Sequence, residues 1–541
     1  MKLRLLPIAL LLAGASLSPG AGAQSSPDAV EQLRNSLVTL VRALVDQNVL
    51  SVAKAEEMLR QAGIDPAVLT APAGAPPPPA AAAKPPVRVP YVPEVVKREL
   101  REEIRQEVLS QARAERWGDP GALPDWLSRL TIRGDLRLRF EHDGFAHDNA
   151  PAPILDAFYQ ADTPTKNTTV DRDRMRLRAR LGAEARVDED VRAGMRITTS
   201  SGGDANNPVS TNVDLGQSDR RFGTALDLAY IGWTRPTFTA QGGRVANPYQ
   251  ASDLIYATDL TFDGITATYR PRFNLEWSGF ATGGVHPLRE VESSATNFAT
   301  DKWLYGAQAG VQWRGVGDSS MQFAAAYYNF SHLEGQLNPA STNTLFNDSA
   351  PLVRNRGNTM FNIAFLSNPP PTGAPVYGIA SKFKLVNLNG RYQFARFDPV
   401  RLTLDVDFVK NVGFNRDEIL NRIGPAVAAL PHDITNQTGV DRERTKGYRF
   451  ELQIGHPDVD RLGNWQFFAG YRYLERDAVP DGLTSADYRL GGTDQKAGFL
   501  GVNYGLARYT SATVRYVNAK SIDLAPKFDV DCWYLDLNAR F

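Results

Sequence analysis

Residues 174–187 read RMRLRARLGAEARV, and this stretch decides the fold class. Its odd positions, beginning with Met175 and Leu177, carry only Met, Leu, Ala and Val, whereas most of its even positions carry Arg or Glu. An alternation of period two gives a β-strand one apolar face and one polar face. The stretch covers 14 residues, which is long for a soluble strand but suits a tilted membrane-spanning strand and its extensions.

The same alternation recurs from Leu130 to the C-terminus. Apolar faces that carry aromatic residues occur at 303–313, 400–408, 448–454 and 465–473. Aromatic rings at the ends of an apolar strand face are typical of membrane interfaces. In a soluble sandwich the apolar face would point to a core instead, but a sandwich does not need so many similar strands.

The connections between these strands alternate between short turns and longer polar loops. Seven short ones, such as 187–190 and 234–236, alternate with eight longer ones, such as 142–172 and 331–381. The pattern predicts an all-β fold, a 16-stranded antiparallel transmembrane β-barrel of the bacterial outer-membrane type, with both strand ends on the periplasmic side.

One segment, residues 259–269, leaves the strand count open. Leu260 and Phe262 lie on one parity of this segment, whereas Ile265 lies on the other. Asp263-Gly264 is therefore either a bulge within one strand or a tight hairpin turn. We favour the bulge because it keeps the even count of sixteen strands, whereas the hairpin would give seventeen or eighteen.

The final strand ends at the C-terminal residue. Its alternating apolar positions resemble the assembly signal of bacterial outer-membrane proteins, and they are Trp533, Leu535, Leu537, Ala539 and Phe541. The resemblance implies that the barrel-assembly machinery is a partner of this strand.

Composition excludes several other classes of protein. The chain has 541 residues, equal numbers of basic and acidic residues (60 each) and a mean hydropathy of −0.32. Beyond the N-terminus it contains no run of ~18 uncharged apolar residues, which excludes a helical membrane protein. Cys532 has no partner for a disulfide, and zero net charge argues against a nucleic-acid footprint along the whole chain.

The N-terminal region has the features of an exported chain. Lys2 and Arg4 precede the apolar stretch 5–12, and Ala21-Gly22-Ala23 forms a small-residue cleavage site, so we interpret 1–23 as a signal peptide. Heptad-like spacing predicts a helical periplasmic segment at 24–70, as a helical hairpin or an oligomerising stalk. A Pro/Ala-rich linker is predicted at 71–93.

A charged helix at 94–117 precedes the barrel of 118–541. Its thin apolar stripe suits self-association in a coiled coil, although a solvated helix explains the stripe equally well. The region 28–116 is thereby a periplasmic arm that could contact the cell wall or another envelope component.

If the apolar faces meet lipid, the opposite parity lines the lumen. Charges would not be stable against lipid, where Arg costs roughly 2–4 kcal/mol at mid-bilayer. Nine arginines on the first three strands and one on the last then form a basic wall: Arg133, Arg137, Arg139, Arg174, Arg176, Arg178, Arg180, Arg192, Arg196 and Arg540. The predicted pore-lining acids are Asp135, Glu276, Asp405, Asp407, Glu451 and Asp536.

Two interpretations of this lining remain open. Arginines and carboxylates on opposing walls would create a transverse field that orders water and selects solutes by charge. Alternatively, a large lumen must be lined with hydrated groups, and the arginines pair with nearby acids.

Three motifs resemble the Putative porin family of Gram-negative bacteria. They are Pro124–Leu130 (PDWLSRL), Gly134–Glu141 (GDLRLRFE) and Arg172–Gly182 (RDRMRLRARLG), and the resemblance covers roughly 90–541. It implies an outer-membrane, trimeric, water-filled pore. One departure concerns the third outer loop, about 247–255, which is short where general diffusion porins use a long one as the constriction. Either the 331–381 loop or the wall residues would then set the pore.

Motifs of enzymes are missing from the sequence. There is no GxSxG, HExxH, Walker loop or CxxC, so we expect no enzyme, no cofactor and no metal site. The predicted function is an outer-membrane porin for passive diffusion of small hydrophilic solutes, with anion preference. The alternatives are a channel specific for an anion or an oligosaccharide, and an envelope tether that acts through the periplasmic arm.

Overall fold

The computed structural model describes most of the C-terminal part of the chain. The described residues are 125–159, 166–200, 209–219, 221–341, 344–364, 375–424, 443–523 and 526–541, with Ala55 and Leu59, both helical and buried. The chain divides into two units, Met1–Glu115 and Arg116–Phe541. Apart from those two residues, the predicted signal peptide, helical segment, linker and charged helix lie outside the described residues and stay predictions.

Sixteen long antiparallel strands form one sheet within the described residues, and a two-residue strand, Val213–Asp214, pairs with the second of them. They are β1 (Leu130–Phe145), β2 (Arg172–Arg186), β3 (Val191–Ser200), β4 (Gly223–Arg235), β5 (Phe238–Ala246), β6 (Thr261–Tyr269), β7 (Trp277–Arg289), β8 (Lys302–Arg314), β9 (Ser320–Ser331), β10 (Phe383–Phe397), β11 (Val400–Asn411), β12 (Lys446–Gly455), β13 (Trp465–Leu474), β14 (Gln495–Ala507), β15 (Thr510–Ser521) and β16 (Val530–Arg540).

The sheet closes on itself through the first and last strands. β1 pairs with β16 from Asp135 opposite Arg540 to Phe145 opposite Val530. At the end of this seam Gly134 N donates to Phe541 O at 2.8 Å, and Phe541 N donates to Gly134 O at 3.0 Å. The predicted closed 16-stranded antiparallel barrel is confirmed.

Residues 261–269 form one strand, which confirms the even strand count. The register between β5 and β6 runs without a shift from Thr261 to Tyr269, so no bulge against β5 is needed. The apolar residues change from even to odd positions within this strand for another reason. Phe262 is buried inside the barrel at 4% exposure, whereas Ile265 faces outward at 67%. Both faces of this strand are apolar because part of the interior is apolar.

The two ends of the barrel differ. At the short-turn end, connections such as 187–190 and 236–237 are tight, and the opposite end, the long-loop end, carries the longer connections. In the C-terminal unit the described α-helices are α1 (Asp125–Ser128), α2 (Ala152–Tyr159) and α3 (Arg416–Ile423), and short 3₁₀ helices lie at Val316–Asp318, Asn347–Ser349 and Asp481–Leu483. No helix among the described residues is long and apolar enough to cross a membrane.

Local sequence explains where α3 begins and ends. The Asn415 side chain accepts a hydrogen bond from Glu418 N at 3.0 Å, which caps the first turn. Gly424 follows the last turn with a φ of 79°, and its N–H donates to Leu420 O. Two short strands, Met360–Asn362 and Tyr377–Ile379, form a separate hairpin at the same end of the barrel.

Loops at the long-loop end are bound to one another by buried polar groups. Asp477 accepts hydrogen bonds from Thr359 N at 2.9 Å and from Thr359 Oγ1 at 2.6 Å. Asn358 Nδ2 donates to the carbonyl oxygens of Arg476 and Val479. Burial raises the pKa of Asp477 to about 6, although the bonds from Thr359 oppose this shift.

The raised pKa of Asp477 predicts a pH dependence of stability. Below about pH 4 the carboxyl group is neutral in both states, and between about 4 and about 6 only the unfolded chain releases its proton. The free energy of unfolding therefore falls as the pH rises through this window, by about 3 kcal/mol from this group. Urea unfolding in detergent, measured against pH, should show this loss in the wild type and not in Asp477→Asn. Parallel pH curves for the two proteins would contradict it.

The seam between β1 and β16 generates a second prediction. A Cβ atom at Gly134 would lie 2.3 Å from Cζ of Phe541, so Gly134→Val must displace the terminal ring from the strand that it covers. Because that ring is the end of a side chain that is 65% exposed, we expect a loss of no more than about 1 kcal/mol in the free energy of unfolding, measured by urea titration of the refolded barrel. Gly283→Val is the matched control because no atom lies within 4 Å of a Cβ there. Equal losses for the two variants would contradict the role of this contact.

Candidate functional site

The register between β1 and β2 places like charges side by side inside the barrel. Arg137 lies opposite Arg178, and Arg139 lies opposite Arg176. Directly opposed residues have Cβ atoms about 4.5–5.5 Å apart, so these pairs repel each other unless counter-charges are near. Carboxylates must therefore lie inside the barrel close to these two pairs of arginines.

The strands supply some of these carboxylates. Asp135 accepts from Arg178 Nη2 at 2.9 Å and from Arg180 Nε at 2.8 Å. Asp536 binds Arg139 through two parallel hydrogen bonds of 2.6 and 2.8 Å. Glu141 accepts from Arg174 and, at 3.1 Å, from Arg176 Nη1. Within the described residues, Asp135 and Asp536 thus neutralise part of the basic wall.

Two further carboxylates come from loops that enter the barrel, and a third, Asp214, lies on the two-residue strand Val213–Asp214 that pairs with β2. Asp259 accepts from Arg178 Nη1 at 3.0 Å and lies 3.5 Å from Arg180 Nη1. Asp214 lies 2.9 Å from Arg176 Nε, and Asp487 lies 2.8 Å from Arg139 Nη1. These three acids were not predicted as partners of the arginines because each is far along the chain from its partner. The strands of the basic wall carry more arginines than acids. This excess was the one signal in the sequence that acids from elsewhere in the chain would pair with these arginines.

The remaining arginines of the basic wall occupy different surroundings. Arg137 donates to Asn212 Oδ1 at 2.6 Å, and Arg196 donates to Asp227 Oδ2 at 2.6 Å. Towards the short-turn end, Arg192 pairs with Glu184 at 3.2 Å, Arg540 pairs with Asp460 at 3.4 Å, and Arg133 is exposed.

The other predicted acids fall in two places. Asp405 accepts from Arg391 Nε at 2.6 Å, and its register neighbour on β12 is Glu451, which pairs with Arg449. Asp407 is buried and accepts from Asn387 Nδ2 at 2.5 Å. Glu276 lies in the turn before β7, where Trp313 Nε1 donates to it at 3.3 Å, and it is not on the wall that carries Asp405.

The 247–260 loop, between β5 and β6, crosses the interior of the barrel. At one end Asp259 binds the arginines of β2. At the other, Gln250 exchanges two hydrogen bonds with the Gln308 side chain of β8, of 2.8 and 2.7 Å. Ser252 donates to Asp407 on β11 through N at 3.0 Å and Oγ at 2.6 Å. The expectation that this loop is too short to act inside the barrel was wrong.

Apolar packing explains why a short loop enters. Leu254, Ile255 and Tyr256 are almost completely buried, and they belong to a cluster with inward residues of β8 to β11. Those wall residues are Leu304, Ala326, Tyr328, Phe330, Phe383, Leu385 and Val409. The expected hydrated lining therefore does not extend over the part of these strands nearest the long-loop end, where burial of apolar area holds the loop.

Two clefts of opposite charge line the interior. The first, of about 410 Å³, lies against β1–β4 and β16, and its lining includes Arg133, Arg178, Arg180, Arg196 and Arg540 with Asp135 and Glu184. The second, of about 460 Å³, lies between the 247–260 loop and β9–β12, and its charged lining is Asp253, Asp405, Asp407, Glu451, Arg391 and Arg449. In a ring of 16 strands, β9–β12 lie opposite β1–β4.

A closed antiparallel barrel that is apolar outside, charged inside and narrowed by an inserted loop is the architecture of an outer-membrane porin. The family model described as Putative porin matches residues 34–541. The chain belongs to the Putative porin family.

Three solved structures illustrate the similarity of this chain to known proteins. Salmonella typhi OmpF in complex with daunomycin has 12% identity and a TM-score of 0.38, covering 76% of this chain and 97% of that chain. The outer membrane channel DcaP of Acinetobacter baumannii has 12% identity and a TM-score of 0.37, covering 76% and 97%. OprB of Pseudomonas putida at high pH has 10% identity and a TM-score of 0.42, covering 78% and 96%. No curated protein matches the chain.

The contact of Asp259 with two arginines leads to a prediction about charge in the interior. Asp259→Asn removes one negative charge beside Arg178 and Arg180 and keeps the shape of the side chain. If the interior conducts, the anion-to-cation permeability ratio should rise about twofold, the order expected for one charge screened by water. Reversal potentials in a salt gradient measure this ratio.

The matched control for this change is Asp263→Asn, four residues further on. Asp263 of β6 is half exposed and pairs with Arg244 of β5. Asp263 has the same parity as Ile265, so it faces outward. Its substitution should leave the permeability ratio unchanged. An equal shift in both variants, or in neither, would contradict the placement of Asp259 at the conducting path.

Proposed function

We propose that this chain is an outer-membrane porin that forms a water-filled channel for passive diffusion of small hydrophilic solutes. The observation that carries the proposal is a closed barrel with charged side chains on its inner face and apolar side chains on its outer face. An apolar outer face is stable against lipid, and a charged inner face is stable only against water or counter-charges. Membership of the Putative porin family supports the same function.

The distribution of charge supports a transverse field across this channel. Among described residues, arginines outnumber acids in the cleft at β1–β4, and acids outnumber arginines in the cleft at β9–β12. Opposed charges on two walls order water and draw anions and cations to different sides. We propose a net anion preference because Arg133 and Arg137 have no carboxylate among the hydrogen bonds and ion pairs seen in the described residues, while Asp405 and Glu451 of the opposite wall are paired with Arg391 and Arg449.

The surroundings of the barrel follow from the same proposal. Outer-membrane lipid would cover most of the apolar outer face, and we propose that the protein is a homotrimer. The final strand, ending at Phe541, would be recognised by the barrel-assembly machinery. Export by a signal peptide at 1–23 would place the helical arm, residues 28–116, in the periplasm, where it could contact another envelope component.

A channel specific for one class of solute is the second candidate. The observation in its favour is the inserted 247–260 loop, which together with β9–β12 lines a cleft of about 460 Å³. Such a channel would show saturable block of its ion current by an added anion or oligosaccharide, whereas a general porin would not.

Conductance of the refolded protein in planar lipid bilayers tests the proposal. We expect stepwise single-channel currents, with a reversal potential in a salt gradient that indicates preference for the anion. A preference for cations would contradict the role given to the basic wall. Absence of any current from correctly folded barrels would contradict the porin function itself.

A further inference from the structure

A second connection, the 477–494 loop between β13 and β14, also enters the barrel. Most of its side chains are buried, and Asp487 lies 2.5 Å from Arg515 Nη2. Arg515 is six residues from Ser521, the last residue of β15 at the long-loop end, which is about 20 Å along the strand. The loop therefore reaches the middle of the barrel wall rather than covering its rim.

Tyr488 is the centre of the packing that holds this loop. It is 1% exposed, and the guanidinium of Arg472 lies 4.8 Å from the centre of its ring, with Arg515 at 5.8 Å. Phe499 of β14 packs edge-on against the same ring, at 5.7 Å between centroids. A ring within 6 Å of two guanidinium groups gains cation–π attraction in addition to its buried area.

Asp487 brings a negative charge to the level of the basic wall. It pairs with Arg139 at 2.8 Å and with Arg515 at 2.5 Å. Burial alone would raise the pKa of Asp487, but the guanidinium groups, first that of Arg139 and then that of Arg515, hold it well below its ordinary value. The carboxylate is therefore ionised at neutral pH, and its side chain remains 29% exposed towards the interior.

The 477–494 loop is also bound to the 247–260 loop. Tyr488 Oη donates to Asp253 Oδ2 at 2.9 Å, and Ala257 N donates to Leu483 O at 2.9 Å. Asp253 in turn lies 2.8 Å from Arg449 Nε on β12. The two loops and the wall thus form one connected structure across the interior.

We propose that the 477–494 loop is a second constriction element of the channel, in which Tyr488 is a positioning residue and Asp487 determines charge selectivity. This inference rests on the proposed porin function. Tyr488 fixes the loop against the wall and against the 247–260 loop, and Asp487 cancels part of the positive charge of β1 and β15 where ions pass. The channel is narrowed from two sides by loops of the same chain.

Three variants separate the positioning role of Tyr488 from the effect of the Asp487 charge. Tyr488→Ala removes the ring that contacts Arg472 and Arg515, so we expect a higher single-channel conductance. Tyr488→Phe keeps the ring and loses only the bond to Asp253, so its conductance should stay close to that of the wild type. Asp487→Asn should keep the conductance and raise the anion-to-cation permeability ratio about twofold.

A control variant and a second measurement keep the test independent of folding. Asp148→Asn makes the same charge change on an exposed loop residue paired with Lys527 and should leave the permeability ratio unchanged. Trypsin should not cleave after Arg489 in the wild type, where this side chain is fully buried, but should cleave there in Tyr488→Ala. Heat-modifiable migration in gels identifies the folded barrels that are compared.

The outcomes distinguish this inference from the porin function. Conducting wild-type channels, with conductance and permeability ratio unchanged in both Tyr488→Ala and Asp487→Asn, would overturn the inference and leave the porin function standing. A folded wild type without current would overturn the porin function. Cleavage after Arg489 in the folded wild type would overturn the placement of the loop in either case.

Discussion

Every backbone N–H and C=O group within a lipid bilayer must find its hydrogen-bond partner inside the protein. For strands this is possible only in a closed ring, because an open edge would leave a row of unpaired groups in lipid. The pairing of β1 with β16 closes that ring here, and the bonds between Gly134 and Phe541 extend it to the last residue. The alternation of side chains follows, since a strand with both edges paired can direct its side chains only outward or inward.

On the inner face of the barrel, the arginines must be paired with acidic side chains. The register that pairs Arg137 with Arg178 and Arg139 with Arg176 concentrates positive charge on one wall. Acids on the strands compensate part of it, and Asp259 and Asp487 compensate a further part from inserted loops. The loops in turn are fixed by apolar residues such as Ile255 and by the aromatic ring of Tyr488. Charge pairing and apolar burial thus act together to narrow the interior.

Much of the fold could be predicted from sequence because a period of two is a local property. The alternation in 174–187 and the apolar end at Phe541 predicted strands, closure and the even count without any knowledge of contacts. The parity of Phe262 was misinterpreted as a bulge because the sequence does not tell whether an inward position meets water or a buried loop. Its apolar side chain faces the cluster around Tyr256.

The candidate site was less accessible to sequence reasoning. The arginines of β1 and β2 were visible as a pattern, but Arg178 and Asp259 are 81 residues apart, and Arg139 and Asp487 are 348 apart. Insertion of the 247–260 loop depends on apolar partners at Leu304 and Phe383 on other strands, so loop length alone gave the wrong answer.

The central claim is that this loop sets the passage through the barrel. Replacing residues 249–258 by a short Gly/Ser linker and measuring conductance with graded neutral polymers tests it most directly. The account predicts that the folded variant conducts more and admits larger polymers than the wild type, and equal conductance with equal polymer exclusion would contradict it.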